Sequence, residues 1–258
     1  MTHRLLTENL SLSYGKTTVL DDISTPLPSG KVTSIVGANA CGKSTFLRCL
    51  ARLLKPTAGH VILDGTSIHK QNTRDVARKI ALLPQSAAAP DGMRVLDLVK
   101  QGRTPHQSPL NQWSLADQEV VSSAIAKVGL SGFEERLLGD LSGGQRQRAW
   151  IAMSLAQDSD ILLLDEPTTY LDLMHQIEIL QLVRDLQEHR NLTVVMVLHD
   201  INLATRFSDN LIALKDQRIL LHGRPEDVIS ESAIAAIYGL QCSVIADPHT
   251  GLPHVIPR

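Results

Sequence analysis

No uninterrupted apolar run in these 258 residues approaches the roughly 18 needed to cross a bilayer, so any role at a membrane must come through a partner. Residues 1–10 hold no apolar stretch of the signal-peptide kind, and no signal peptide is expected. Charge of one sign is lacking too. The 25 Lys and Arg nearly balance 27 Asp and Glu, for a formal charge of −2, which gives no electrostatic reason to bind nucleic acid irrespective of sequence. Cysteine is scarce: Cys41, Cys49 and Cys242 show no C-x-x-C spacing, and any disulfide scheme leaves one over. A reducing compartment fits that pattern best. Internal repeats and low-complexity segments are absent. What remains, 43% apolar and 20% charged residues, is ordinary globular composition, and the length allows one large α/β domain with a buried core.

Residues 5–25 read as two strands around a turn at Tyr14-Gly15-Lys16, and residues 31–36 as a third, β-branched strand. A helix is expected from about Gly42 to Leu54, where Lys55-Pro56 stops it. Short strands follow at residues 61–63, before the Asp64-Gly65 turn, and at 80–83, before Pro84-Gln85. Residues 95–140 become helical. Val121, Ala124, Ile125 and Val128 recur at helical spacing, and Ser114 with Asp117 resembles a capping box. The connection holding Thr104-Pro105 and Ser108-Pro109 reads as an irregular loop. Beyond it, an apolar strand at 161–164, a helix with Ile179, Leu182, Val183 and Leu186 on one face, and a strand at 193–198 alternate as in a parallel sheet. Residues 211–221, broken at Asp216-Gln217, read as a closing hairpin. The expected fold class is therefore α/β, a parallel sheet with helices, an antiparallel β part at the N-terminus and an inserted helical subdomain.

Gly37-Ala38-Asn39-Ala40-Cys41-Gly42-Lys43-Ser44 matches G-x-x-x-x-G-K-[ST]. Its glycines let backbone N–H groups close around phosphate oxygens, and the following helix adds positive dipole character. Lys43 then reaches the β- and γ-phosphates and the Ser44 hydroxyl ligates Mg²⁺. Chance supplies this pattern in about one chain in 100 of this length, but here it also lies between an expected strand and an expected helix, as the mechanism demands. Cys41 sits among the loop N–H groups and two residues from Lys43, so its pKa is expected below that of a free thiol. The strand ending Leu164-Asp165-Glu166 supplies a carboxylate, Asp165, for the Mg²⁺ of a bound nucleotide. Glu166, one residue on, can accept a proton from an attacking water. Leu141-Ser142-Gly143-Gly144-Gln145 is a second glycine-rich nest at a helix start, without a lysine. In a two-fold dimer such a nest can cap the γ-phosphate held by the other copy.

With these strings in order, residues from about 5 to 223 resemble an ABC-type ATPase cassette. Tyr14 matches the aromatic residue that stacks on adenine, and residues 37–45, ending at Thr45, match Walker A. Gln85 matches the Q-loop glutamine, a metal ligand and catalytic contact between core and helical subdomain. Residues 141–145 match the signature, with Ser142, Gly143, Gly144 and Gln145 on nucleotide, and residues 161–166 match Walker B with its catalytic glutamate, Glu166. Leu171-Asp172 matches the D-loop at the dimer interface, and His199 matches the switch histidine on the γ-phosphate. The resemblance implies catalytic roles for Glu166, His199, Gln85 and Lys43, metal ligation by Ser44, Gln85 and Asp165, and ATP with Mg²⁺ as cofactors. It implies one ABC ATPase domain over residues 1–258: a nucleotide-binding core at 1–90 and 160–223, a helical subdomain at 91–159 and a C-terminal extension at 224–258. One departure is Ala38-Asn39-Ala40 where the family has Pro-Asn-Gly. Ala40 lacks glycine's freedom at positive φ, so a less adaptable loop is expected.

Within the family, Cys41 in the loop, Leu83-Pro84-Gln85, residues 168–173 and the ending Asp247-Pro248-His249-Thr250-Gly251 resemble the ATPases of ferric-siderophore, haem and vitamin B12 importers, an iron chelate being favoured. The implied partners are a second copy in a head-to-tail dimer, two membrane-spanning permease subunits and, indirectly, a substrate-binding protein. Nucleic acid is not among them. The implied location is peripheral, at the cytoplasmic face of a bacterial inner or plasma membrane. A soluble ABC ATPase of DNA repair or translation is the alternative, disfavoured because residues 85–143 leave no room for a long coiled coil and only one Walker A is present. A non-hydrolysing cassette is expected to lack Glu166 or His199, and a simple P-loop kinase leaves residues 141–145 unexplained. His249 and His254 in the tail are not read as a metal site.

Overall fold

The computed structural model describes residues 3–85, 89–108 and 113–258. The chain runs through β1 (Leu5–Tyr14), β2 (Thr17–Leu27), β3 (Val32–Val36), α1 (Lys43–Leu50), β4 (Ala58–Leu63), β5 (Thr66–Ser67), α2 (Thr73–Lys79), β6 (Ile80–Leu83) and α3 (Val95–Gln101). It continues with α4 (Leu115–Lys127), α5 (Gly143–Ala156), β7 (Ile161–Asp165), α6 (Leu173–Arg190), β8 (Thr193–Val197), α7 (Ile201–Phe207), β9 (Asn210–Lys215), β10 (Arg218–Gly223), α8 (Pro225–Val228), α9 (Glu231–Tyr238), β11 (Cys242–Ala246) and β12 (Pro253–Pro257). Two compact units result: the chain up to Gln71 together with Arg184–Arg258, and Asn72–Val183.

In the first unit, β1 pairs antiparallel with β2, Leu5 opposite Leu27 and Tyr14 opposite Thr17. The other edge of β1 takes β4, and β5 closes this sheet. Alternation along β1 sends Leu5 and, past an irregularity between Thr7 and Leu10 that shifts the register, Leu10 and Leu12 into the core, and each such side chain contributes about 1.5–3 kcal/mol by leaving water. β3 lies between β8 and β9, parallel to both. All five of its residues are buried, as a central parallel strand covered on both faces requires. The β9–β10 hairpin turns at Asp216 and Gln217, both at positive φ (47° and 72°), the geometry of a two-residue loop that matches strand twist.

Helix α1 and the tail differ from the sequence expectation. Helix α1 ends at Leu50 rather than Leu54, because Arg52 takes φ +62° and its N–H turns back to the Cys49 carbonyl. The tail also carries more order than its sequence advertises. Ser230 caps α9 by accepting from the Ala233 N–H, and β11 pairs with β12. The side-chain amide of Asn202, in α7, exchanges two hydrogen bonds with the Val255 backbone (2.8 and 3.0 Å).

In the second unit, β6 and β7 pair in parallel, and α5 packs against α3 and α4. The capping box at Ser114 forms as expected, with Asp117 as its third residue. Val121, Ala124 and Ile125 of α4 are buried. Arg103, just past α3, knits the three helices. Its Nε donates to Asp117 Oδ1 and its Nη1 to the Ala156 carbonyl, both at 2.8 Å. Thr104–His106, expected as irregular, is a short 3₁₀ turn with Pro105 inside it, and Pro109 lies outside the described residues.

Candidate functional site

In the first unit the phosphate loop spans the gap between the end of β3 and the start of α1. Gly37 sits at φ +144°, and a Cβ there would lie 2.3 Å from the Leu214 carbonyl oxygen and 2.9 Å from Cys41 Sγ, so no side chain fits. Gly42 caps α1 at φ +102° without a side-chain acceptor, which leaves the first N–H groups of the helix for an external oxygen. Lys43 is buried, and its Nζ donates to the carbonyls of Gly37 and Ala38, each at 2.9 Å. The lysine thus arches back over the loop that precedes it. Ala40 adopts φ +62°, a left-handed conformation that costs an L-residue about 1–2 kcal/mol. The loop therefore keeps its glycine-type shape despite the alanine.

One expectation is overturned here. The Cys41 thiol is pushed above its ordinary value, because burial outweighs the charge of Lys43 and the neighbouring N–H groups. Cys49, fully buried in α1, is pushed up to about 12 by the same desolvation.

Strand pairing organises the rest of this edge. Ile35 of β3 lies opposite Val197 of β8, so Gly37 and His199 each follow two residues past one rung. His199 is exposed, and the next residue, Asp200, caps α7 by accepting from the Leu203 N–H at 2.9 Å. Tyr14 closes the β1–β2 hairpin with 54% of its surface exposed, an open ring face of the kind a purine stacks on. Sequence reasoning missed Tyr238. Its hydroxyl is buried close to the Gly37 backbone, Cys41 and Asp200, and burial pushes its pKa up to about 12. No spacing in the tail announced that contact.

In the second unit Leu83 lies opposite Leu164, so Gln85 and Glu166 again sit two residues past one rung. Gln85 Nε2 donates to Glu166 Oε2 at 2.5 Å, and Thr169 Oγ1 donates to the same oxygen at 3.0 Å. With its amide nitrogen so engaged, the Gln85 carbonyl oxygen is the atom suited to a cation. Glu166 is buried at φ +55°, and Asp165, the last residue of β7, is 1% exposed.

The signature nest is a second capping box. Ser142 Oγ accepts from the Gln145 N–H (3.3 Å), and Gln145 Oε1 accepts from the Ser142 N–H (3.1 Å). Gly144 lies in ordinary helix, so its lack of a side chain has a steric cause. A Cβ would meet His175 Cδ2 at 2.6 Å. That imidazole is fixed by Asp172, whose Oδ1 accepts from the His175 N–H (2.9 Å) and from Nδ1 (2.7 Å). These bonds, the backbone one first, hold the Asp172 carboxyl below the usual range. Signature and D-loop residues thus meet through one histidine that sequence reasoning did not single out.

A parallel α/β sheet that delivers a glycine-rich, lysine-bearing loop into a helix defines a P-loop nucleotide-binding protein. The family model for ABC transporters matches residues 20–169. The petrobactin import ATP-binding protein of Bacillus anthracis is 51% identical over 258 residues, covering 100% of this chain and 94% of that protein. The ferric enterobactin transport ATP-binding protein of Escherichia coli is 46% identical over 254 residues, 98% of this chain and 94% of that one. A dimeric ATP-binding cassette, MJ0796, solved in a post-hydrolysis state with ADP and Pi, superposes with a TM-score of 0.74 at 28% identity, covering 85% of this chain and 98% of that one. The chain belongs to the ABC transporter family, as one of its ATP-binding, ATP-hydrolysing cassettes.

Proposed function

We propose that this ATPase energises import of a metal chelate, a ferric siderophore, through two membrane-spanning permease subunits at the cytoplasmic face of a bacterial inner membrane. A substrate-binding protein delivers the cargo to them. The observation that carries the reading is likeness over the whole length, tail included, to proteins named for petrobactin and ferric enterobactin transport. No helix among the described residues is long and apolar enough to cross a membrane.

Two copies, head to tail, enclose ATP between Walker A of one and the signature of the other. Residues 37–45 and Lys43 hold the phosphates, and Tyr14 stacks on adenine. Ser44, Asp165 and the Gln85 carbonyl are the residues that would hold Mg²⁺, each offering the hard oxygen that ion prefers. When bound, that ion neutralises phosphate charge. Water attacks the γ-phosphorus and gives a proton to Glu166, and the bond to the bridging oxygen breaks to release ADP. His199 contacts the γ-phosphate. Ser142, Gly143, Gly144 and Gln145 of the other copy cap it, with Asp172 at the interface. Because the signature touches nucleotide only when the pair is closed, ATP favours closure by differential contact. Residues 91–159 act as the helical subdomain that passes closure to the permease, residues 1–90 and 160–223 as the core, and 224–258 as an extension.

Deleting the encoding gene should abolish uptake of ⁵⁵Fe-siderophores, with recovery on return of the wild-type chain and none with Glu166→Gln. Intact radioiron uptake alongside lost vitamin B12 or haem uptake would move the cargo. Intact uptake of all three would sink the import reading.

A further inference from the structure

The turn that carries Glu166 contains a second polar side chain directed at the same carboxylate. Residues 166–169 form a closed turn, with the Thr169 N–H bonded to the Glu166 carbonyl at 3.3 Å. Glu166 enters it at φ +55°, and Pro167 fixes the next φ. From the far end of this turn Thr169 Oγ1 reaches back to Glu166 Oε2 at 3.0 Å. Gln85 Nε2, arriving from beyond β6, donates to that oxygen as well. Two donors on one oxygen hold that oxygen of the carboxylate in place.

The two donors are not equivalent. Gln85 lies on a different segment, and its amide is expected to engage a cation. Thr169 shares a four-residue turn with Glu166 and keeps its hold wherever Gln85 moves. A base that must meet one water depends on such fixing, since a misplacement of about 1 Å can cost 10²-fold in rate.

We infer that Thr169 is a positioning residue for hydrolysis: its hydroxyl orients Glu166 toward the attacking water. The inference rests on the reading of Glu166 as the general base. Thr169 is half-buried, so Thr169→Val, which keeps shape and loses the donor, should fold.

The test is steady-state ATPase of the purified full chain, with nucleotide affinity measured separately. In Thr169→Val the kcat should fall at least about tenfold, the low end of what one hydrogen bond to a charged group is worth, while KM for MgATP and nucleotide affinity stay within about twofold. Thr169→Ala should lose the same factor, which covers a folding fault peculiar to valine, and Thr169→Ser should recover most of it. Wild-type kcat in the Val and Ala variants, or a Ser variant as slow as the Val variant, overturns the inference. So does a further drop of equal size when Thr169→Val is added to Glu166→Gln, because the hydroxyl would then act elsewhere. Wild-type turnover in Glu166→Gln alone instead removes the base reading itself.

Discussion

Replacing Arg103 by methionine tests how the helical part of the second unit is held. The guanidinium is buried with its partner, side-chain exposures being 8% for Arg103 and 9% for Asp117. Arg103→Met keeps most of the stem but strips Asp117 of its cation and the Ala156 carbonyl of its donor. Breaking a buried pair in this way costs about 3–5 kcal/mol. Ser114 still offers Asp117 Oδ2 its N–H and hydroxyl, at 3.0 and 2.7 Å, so the low end, about 3 kcal/mol, is expected. At roughly 2–4 °C per kcal/mol for a chain of this size, the thermal midpoint should fall by about 6–12 °C. The sign with pH is a second check. Burial pushes the Asp117 carboxyl up, but hydrogen bonds from Arg103 and Ser114 and the Arg103 charge outweigh it and hold the carboxyl below its usual range. A depressed carboxylate contributes stability above its unfolded pKa, about 3.9, and loses it as pH falls through the folded value. Without Arg103 the buried carboxylate is the liability, and protonation relieves it. Thermal and urea unfolding should therefore show a large deficit near pH 7 that narrows toward about pH 4. Arg103→Met with Asp117→Leu should recover part of it by removing the uncompensated charge, and only part, because the Ala156 carbonyl stays without its donor and the Ser114 cap loses Asp117. A single variant within about 1 kcal/mol of wild type at pH 7, or a deficit equal at both pH values, refutes the argument.

Two smaller perturbations probe the phosphate loop. Because burial keeps the Cys41 thiol neutral, maleimide should label it more slowly than a free thiol near pH 7, and MgATP should slow it further by covering the loop; peptide mapping that finds Cys41 labelled as fast as free cysteine contradicts this. Ala40→Gly removes a left-handed cost of about 1–2 kcal/mol and returns about 0.4–1 kcal/mol of chain entropy to the unfolded state. The net gain of about 0–1.6 kcal/mol should therefore raise the thermal midpoint by about 0–6 °C, and a fall would show that the Ala40 methyl packs usefully.

What could be read from the sequence was what depends on neighbours along the chain. Gly37 to Ser44, the carboxylates at 165 and 166 and the nest at 141–145 are short strings whose chemistry is complete in themselves. The capping box at Ser114 is equally local. What escaped depends on residues brought together from afar. Helix α1 stops early because Arg52 takes a left-handed turn, which no proline or glycine at that position signals. The order of the tail comes from Asn202, some fifty residues upstream of its partner Val255. The Cys41 pKa was misjudged for a related reason: the N–H groups and Lys43 are adjacent in sequence and visible there, whereas the burial that outweighs them is not.

Gly144 shows where that boundary runs. Sequence reasoning treats both signature glycines as conformational freedom for a phosphate nest, and either would be excused a positive φ. Gly144 has none, and alanine would suit its helical backbone better by about 1 kcal/mol. A Cβ there would instead press on the His175 ring, which Asp172 holds against the helix. The constraint thus joins the nest to the D-loop, two strings that read as separate in the sequence. A cassette that displaces His175 must move Asp172 with it, so the identity of residue 144 follows from the D-loop as much as from phosphate.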